Sequence, residues 1–242
     1  YHKKNNSKKI LIGYDRRFMA SEFAKEIAPF VKGCGFQPIL SSSYVTTPSC
    51  SFYVKEMNCL GALVITASHN PYNWLGLKIK SFNGCSVDES FTREVEKRLL
   101  LGNAIEKIEG LYEIADVRKF HLDKLKSLFD VDFISRSLKK MKMQIFVDSM
   151  HGSAAKCISD IFDSNDLNIV SELREDSDPS FGGSPPEPLL KYLDNLTETL
   201  IRNSENGVKT LGIIFDGDGD RIAAIDEKGR YCSTQDLLPY FI

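Results

Sequence analysis

The sequence predicts an α/β protein with two domains. Short apolar runs that suit buried strands alternate with amphipathic helical patterns along the chain. This alternation starts twice, at residues 9–13 and again at residues 143–148. The chain has 242 residues, 42% of them hydrophobic, which is enough for two modest domains. We therefore expect two three-layer α/β domains with mixed sheets packed between helices, over residues 1–133 and 134–242.

The first half is predicted to be a β-loop-α series that ends in a charged helical connector at residues 120–140. A helix N-cap is expected at Asp88 or Glu89, and Asn83-Gly84 is typical of a hairpin turn. The predicted strands cover residues 9–13, 36–40, 61–65 and 74–80, and the predicted helices cover residues 21–31, a stretch opening at 47 and residues 89–100.

The second half repeats the pattern. Ser153 is a candidate N-cap for a helix that extends to Ile161, and Thr234 starts a helix that is cut short at Ile242. Residues 178–188 form a loop rich in Pro and Gly that is too long for a simple connection, so we expect it to shape an interface between domains. The other predicted elements are strands at 143–148, 167–173, 211–215 and 222–225 and a helix at 189–200.

The strand predicted at 211–215 runs directly into an acidic loop. Asp216, Asp218 and Asp220 alternate there with Gly217 and Gly219. Carboxylates at this spacing converge on one hard cation, and the glycines allow the backbone to curl around it. Three acids this close repel one another unless a cation lies among them. Mg²⁺ is the natural candidate.

Other interpretations of the acidic loop stay open. Acidic, Gly-rich turns occur without function. An EF-hand loop for Ca²⁺ matches at Asp216, Asp218, Asp220 and Glu227, but Arg221 stands where that loop needs glycine, and the flanks are typical of strands. A phosphatase with an aspartate nucleophile on this loop would need no partner serine.

A second candidate site follows the strand predicted at 61–65. Pro71 biases Asn70 away from helix, so the chain turns and leaves the Ser68 hydroxyl at the ligand edge of the sheet. Neither the G-x-S-x-G elbow nor the Walker glycine pattern is present. A turn without a functional role would have the same sequence features.

Basic side chains lie near the same predicted edge. Arg16 and Arg17 follow the first strand, where either one could bind phosphate or form a solvated pair. Lys78 follows the serine turn by ten positions, on a strand that returns past it. A surface lysine on an edge strand is the alternative.

The serine turn and the acidic loop make chemical sense together. If Ser68 carries a phosphoryl group, its oxygens supply ligands that the acids lack, and the cation neutralises charge during transfer. With both motifs in this order, the chain resembles the α-D-phosphohexomutase family of phosphoglucomutases and phosphomannomutases. The segments that carry the resemblance cover residues 12–17, 66–71, 147–153, 181–188 and 216–221.

The resemblance implies a reversible transfer in which phosphorylated Ser68 gives its phosphoryl group to a hexose phosphate, and the hexose bisphosphate reorients and returns the other phosphate. It implies Mg²⁺ held by Ser68 and the three aspartates. It implies further roles for four residues: phosphoryl contacts by Arg17 and Arg221, and proton handling by His69 and Lys78.

The chain departs from the family pattern in two ways. Leu75 stands where the family has asparagine ahead of the lysine, and the early Gly-Thr-Ser-Gly-like strand is absent. Family members have two further C-terminal domains that recognise the sugar phosphate. We therefore interpret this chain as a piece that comprises domains 1 and 2 and is nearly inactive alone. A non-catalytic, metal-stabilised binding module and a Mg²⁺-dependent sugar phosphatase are the alternatives.

The net charge limits the classes of binding partner, and the cysteine spacing indicates the redox compartment. The net charge is −2, which gives no basic field for nucleic acid or anionic membrane. The six cysteines contain no C-x-x-C pair, and neither a signal peptide nor a long apolar span is visible. We expect a reduced, cytoplasmic protein.

Overall fold

A computed structural model describes residues 6–102, 105–162 and 169–240. The chain divides between residues 121 and 122 into two compact units, and the short segments Arg16–Phe18 and Ser68–Trp74 group with the second unit. This division falls inside the helix Val117–Leu128, whereas the predicted boundary at residue 133 falls inside the next helix, Val131–Met141. The two short segments turn out to carry much of the candidate site.

The first unit contains a five-stranded mixed sheet. Its elements, with the helix that leads into the second unit, are β1 (Lys9–Tyr14), α1 (Ala20–Gly33), β2 (Gln37–Ser41), α2 (Thr47–Glu56), β3 (Gly61–Ile65), β4 (Leu77–Ser81), α3 (Glu89–Leu100), β5 (Glu113–Ala115) and α4 (Val117–Leu128). The strand order is β4-β3-β1-β2-β5, in which β4 runs antiparallel to β3 and the other pairs are parallel.

Helices cover both faces of this sheet. On β1, Leu11 is fully buried in one core cluster with Val54 of α2, and the next residue, Ile12, is fully buried in another with Ala24 of α1. Consecutive strand residues point to opposite faces, so both faces are apolar and both are packed against helix. The unit therefore has three layers.

The second unit has the same architecture. Its elements are α5 (Val131–Met141), β6 (Met143–Asp148), α6 (Cys157–Ile161), β7 (Val170–Leu173), α7 (Asp194–Glu205), β8 (Lys209–Phe215), β9 (Ile222–Asp226), β10 (Tyr231–Cys232) and α8 (Thr234–Leu237). The order is β10-β9-β8-β6-β7, with the β6 pairs parallel and the β9 pairs antiparallel. Val147 packs with Leu138 of α5 on one face, and Phe146 packs with Leu196 of α7 on the other. The predicted pair of α/β domains with mixed sheets is confirmed.

Two predicted helix starts are wrong. Ser153 does not cap a helix, because α6 begins only at Cys157, after Lys156 in a left-handed conformation. The backbone N–H of Ser153 instead donates to the carbonyl of Gly217 at 2.9 Å. The helix predicted from residue 189 begins at Asp194 and is preceded by a short 3-10 turn over Leu190–Tyr192. In both places tertiary hydrogen bonds and packing override the local pattern.

Other details refine the predictions. The connector is two helices, because Asp130 caps α5 by accepting from the N–H of Phe133 at 2.8 Å. The predicted cap of α3 is Asp88, and α8 begins at Thr234 as expected. Residues 167, 168 and 242, on which predicted element ends fall, lie outside the described residues. No helix in the described ranges is both long and apolar enough to cross a membrane.

A buried polar chain joins α2 to α4 in the first unit. The hydroxyls of Thr46 and Ser49 are hydrogen-bonded at 2.8 Å, and the Ser49 hydroxyl is hydrogen-bonded to Nδ1 of His121 at 2.7 Å. The His121 ring lies against the Phe52 ring, with centroids 5.2 Å apart. Burial lowers the pKa of His121 below its usual value of 6.5, because it disfavours the charged imidazolium.

This lowered pKa predicts an acid-sensitive contribution to stability. Since the unfolded state binds the proton more readily, the contribution is present above about pH 6.5 and is lost as the pH falls through the folded pKa. His121→Asn keeps a polar atom near the Nδ1 position and does not titrate. We expect wild type to lose more free energy of unfolding than the variant between pH 7.5 and pH 5, as measured by urea denaturation. Parallel profiles for the two proteins would rule out this role for His121.

Candidate active site

The acidic loop connects β8 to β9 in the second unit. Asp216 and Asp218 are fully buried, and Asp220 is exposed. One carboxylate oxygen from each of the three lies within 4.8 Å of the others. At such distances and with little water, like charges repel strongly. The loop therefore brings three acids together as predicted, in surroundings that favour a cation.

Backbone N–H groups hold Asp216 in place. Its Oδ1 atom accepts from the N–H of Asp220 at 3.0 Å and from the N–H of Arg221 at 3.1 Å. Its own carbonyl accepts from the N–H of Gly219, which has a φ of +70° that favours glycine. The loop thus wraps around the first carboxylate and keeps the other two beside it.

The surroundings of Asp216 disfavour its charge. Burial is the largest cause, followed by the charges of Asp218 and Asp220, and together they raise the pKa of Asp216 to about 7. The hydrogen bond from the N–H of Arg221 lowers the pKa of Asp216 and is too weak to offset burial. A divalent cation among the three carboxylates would remove the repulsion, so the donor set fits Mg²⁺.

The serine turn lies directly beside this loop. Ser68 follows β3, is 8% exposed, and has a left-handed backbone with φ of +55°. Its hydroxyl donates to Oδ2 of Asp216 at 3.1 Å, and both residues belong to the second unit. A non-glycine residue in this conformation is held there by its surroundings. The structure therefore brings the serine hydroxyl and the acidic cluster together.

Gly217 fits where no side chain could. A Cβ atom on Gly217 would lie 2.5 Å from the carbonyl oxygen of Ser68 and 2.9 Å from the ring of Pro186. The N–H of Gly217 donates to the carbonyl of Pro186 at 3.1 Å. Glycine is thus the only residue type that fits between the Ser68 turn and the Pro-rich loop.

Arg17 shapes the serine turn from within. Its side chain is 4% exposed, and its guanidinium lies 4.9 Å from the centre of the Phe181 ring. The Nη atoms donate to four backbone carbonyls, which are those of Ser68 at 2.8 Å, Asn70 at 2.7 Å, Pro71 at 2.8 Å and Trp74 at 3.1 Å. The predicted phosphoryl contact of Arg17 stays a prediction, and the observed bonds give it a structural role in the turn.

Glu187 is a site residue that the sequence interpretation missed. Its Oε1 atom lies 3.8 Å from Nη1 of Arg221 and 4.0 Å from Nε2 of His69. Nδ1 of His69 is buried without a hydrogen-bond partner among the described residues. One carboxylate therefore lies close to a predicted site residue from each of the two loops. Its place in the rigid 178–188 loop was the available signal.

Three more residues were singled out by the sequence. Lys78 is on β4, opposite Val64 of β3, in the first unit, and its predicted proton-handling role stays a prediction. Leu75, which replaces the family asparagine, is 37% exposed. Arg16 donates to the carbonyl of Glu175 at 2.6 Å, so its side chain is hydrogen-bonded to the segment that follows β7.

The fold and the site together define the phosphohexomutase class: two α/β domains with mixed sheets, a serine turn and a triple-aspartate loop. The family model for phosphoglucomutase/phosphomannomutase alpha/beta/alpha domain I matches residues 1–104, and that for domain II matches residues 119–229. The chain belongs to the phosphoglucomutase/phosphomannomutase family.

Individual relatives agree with this assignment. Phosphoglucomutase 1 of Drosophila melanogaster is 27% identical in an alignment 260 positions long, which covers 95% of this chain and 46% of the relative. Phosphoglucosamine mutase of Syntrophobacter fumaroxidans is 27% identical in an alignment 246 positions long, which covers 98% of this chain and 51% of the relative. A crystal structure from Thermus thermophilus, assigned as a phosphomannomutase, superposes with a TM-score of 0.77 at 29% identity, covering 92% and 49%. The chain thus spans about half the length of these relatives.

Arg17 offers a test of the turn. In Arg17→Lys a single ammonium replaces the planar fork and cannot serve four carbonyls, so buried acceptors lose their donor. We expect the free energy of unfolding, measured in urea, to fall by about 2–4 kcal/mol. Arg230→Lys is the matched control, because Arg230 is exposed and pairs with Asp226 at 2.6 Å; we expect a loss under about 0.5 kcal/mol there. Equal losses in the two variants would contradict the structural role of Arg17.

Proposed function

We propose that the full-length protein interconverts a hexose 1-phosphate and a hexose 6-phosphate through a phosphoserine at Ser68 and a hexose bisphosphate. The observation that carries this proposal is the Ser68 hydroxyl at 3.1 Å from Asp216 within the triple-aspartate cluster. Family membership supports it, since the relatives are named as mutases of hexose phosphates.

The first half-reaction transfers the phosphoryl group from the Ser68 oxygen to a free hydroxyl of the bound sugar phosphate. The bond from phosphorus to the serine oxygen breaks, and a bond from phosphorus to the sugar oxygen forms. The sugar hydroxyl loses a proton and the serine oxygen gains one, so no proton is consumed overall. The bisphosphate then reorients, and the second half-reaction returns the other phosphoryl group to Ser68.

The chain's own residues take distinct parts in these steps. His69, next to the serine, and Lys78 on β4 are the proposed proton carriers at the sugar hydroxyl. Arg221, next to the acidic loop, is the proposed contact for phosphoryl oxygens, where charge-assisted hydrogen bonds are strong. Arg17 shares that proposed role and keeps the serine turn in shape through its four carbonyl contacts.

Asp216, Asp218 and Asp220 would hold Mg²⁺, with Ser68 supplying a further oxygen. The mutual repulsion of the three carboxylates, two of which are buried, supports this assignment, since Asp216 is a poor anion without a cation beside it. When bound, the ion would neutralise the charge that develops as the phosphoryl group moves.

The proposed partners are a hexose phosphate, a hexose bisphosphate and the C-terminal half that the relatives possess. This chain covers 46–51% of the relatives described above. We therefore propose that residues 1–242 alone accept a phosphoryl group on Ser68 and are nearly inactive in sugar turnover. A sugar phosphatase or a metal-stabilised binding module is not favoured, because the named relatives are mutases.

Ser68→Ala tests the phosphoserine. In the full-length protein we expect hexose phosphate interconversion to fall by about 10⁴-fold or more, since the group that carries the phosphoryl is lost. Ser41→Ala removes a buried serine of the first unit, 1% exposed, and should retain turnover. A coupled assay for the product, with free phosphate measured in parallel, follows both activities. Full turnover by Ser68→Ala would refute the proposal, and release of free phosphate in step with sugar consumption would favour the phosphatase.

The raised pKa of Asp216 predicts how metal binding depends on pH. Below about pH 7 a proton occupies Asp216 and must leave before a cation binds, so the apparent Mg²⁺ affinity should rise with pH, by up to about tenfold per unit, and level off above pH 7. Isothermal titration calorimetry between pH 6 and pH 8 measures it. We expect Asp218→Asn to weaken binding and Asp123→Asn, on the exposed side of α4, to leave it unchanged. An affinity that does not change with pH would contradict this assignment.

A further inference from the structure

The turn after β6 contacts the acidic loop at Gly217. The N–H of Ser153 donates to the carbonyl of Gly217 at 2.9 Å. Gly152 lies so close that a Cβ atom on it would be 2.7 Å from the same carbonyl oxygen. Gly217 lies between the two buried aspartates, so this turn contacts the loop directly beside both of them.

The turn itself has an unfavourable backbone. Met150 and His151 are consecutive residues with φ of 47° and 60°, in the left-handed region that non-glycine residues seldom adopt. Met150 is 1% exposed and packs in the core cluster with Leu196. Two adjacent residues stay in this conformation only when their surroundings determine it.

An ion pair between a buried aspartate and a partly buried arginine supplies those surroundings. Arg174, just after β7, donates from Nε to Oδ1 of Asp148 at 2.8 Å and from Nη2 to Oδ2 at 2.5 Å. Asp148 ends β6 and is 2% exposed. Such a two-point contact fixes both side chains in orientation as well as in distance.

Both members of the pair also accept hydrogen bonds from backbone N–H groups of the turn. Oδ1 of Asp148 accepts from the N–H of Met150 at 3.0 Å, and the carbonyl of Arg174 accepts from the N–H of His151 at 2.8 Å. Nη2 of Arg174 reaches the carbonyl of Tyr192 at 3.3 Å, which ties the pair to the chain ahead of α7. The two left-handed residues are therefore each held by one partner of the ion pair.

We propose that Asp148 and Arg174 form a positioning pair, which sets the Met150–Ser153 turn and through it the acidic loop, so that the three aspartates are arranged for a divalent cation. Neither residue touches the reacting groups in this structure. The proposal rests on the proposed function only for the identity of the cation. Its core claim, that the pair orders residues 216–221, concerns the chain alone.

Arg174→Lys tests the pair, because it keeps the positive charge and loses the two-point contact. We expect the dissociation constant for Mg²⁺, measured by calorimetry on the folded protein, to rise about tenfold. Amide hydrogen exchange in residues 216–221 should become faster, while exchange in β8 stays as in wild type. Arg230→Lys, which alters the exposed pair with Asp226, is the matched control and should change neither measurement.

Asp148→Asn is the second variant, since it retains an acceptor for the N–H of Met150 and removes the charge. Combined with Arg174→Lys, it should weaken Mg²⁺ binding by about as much as either change alone, because both act through one pair. Wild-type affinity and wild-type exchange in these folded variants would overturn the proposal, even if their melting temperatures fell.

The test separates this inference from the proposed function. If the wild-type protein binds no Mg²⁺, the metal assignment fails, and hydrogen exchange in residues 216–221 alone decides the role of the pair. If Mg²⁺ binds and Ser68 is dispensable for turnover, the phosphoserine mechanism fails while the calorimetric comparison still decides it.

Discussion

The site depends on holding three carboxylates close together although two of them are fully buried from solvent. Asp216 and Asp218 are fully buried, and burial and mutual repulsion raise the pKa of Asp216 to about 7. Such a cluster is unfavourable in isolation. The structure offsets this with backbone donors from Asp220 and Arg221 and with the Ser68 hydroxyl, all directed at Asp216. The same electrostatic imbalance that costs stability makes the loop receptive to a divalent cation.

The loop is fixed by close contacts on three sides, and they meet at Gly217. The serine turn approaches through the carbonyl of Ser68, the Pro-rich loop through Pro186, and the turn after β6 through Gly152 and Ser153. A glycine at this point serves packing more than backbone freedom, because a Cβ atom would clash with the serine turn and with Pro186. Three segments far apart in sequence are therefore coupled to the position of the two buried aspartates.

The local sequence was sufficient for the fold because strand and helix signals repeat in both halves. The runs 61–65 and Met143–Asp148 coincide with β3 and β6. Burial along both strands is nearly continuous, and successive side chains belong to different core clusters, so both faces of each sheet are covered. The failures have a common cause. Ser153 has the right chemistry for an N-cap, yet its backbone N–H donates to the carbonyl of Gly217. Gly217 lies 64 positions later in the sequence, where no local pattern reveals it. The start of α7 is shifted likewise, where the carbonyl of Tyr192 accepts from Arg174.

The site residues likewise fall into two groups: those that a short sequence motif identifies, and those that only long-range contacts identify. Ser68 and the aspartates are recognisable because their chemistry is written in short, contiguous segments. Glu187 is not, because its meaning comes from lying near both His69 and Arg221. Arg17 shows the limit most clearly. Its position after a strand suggested a phosphate ligand, but its two Nη atoms make four bonds to carbonyls, as many as their N–H groups allow. A phosphoryl group would therefore have to use its Nε–H or displace a carbonyl of the serine turn. Any contact of Arg17 with the transferred group is thus coupled to the shape of the turn that presents Ser68.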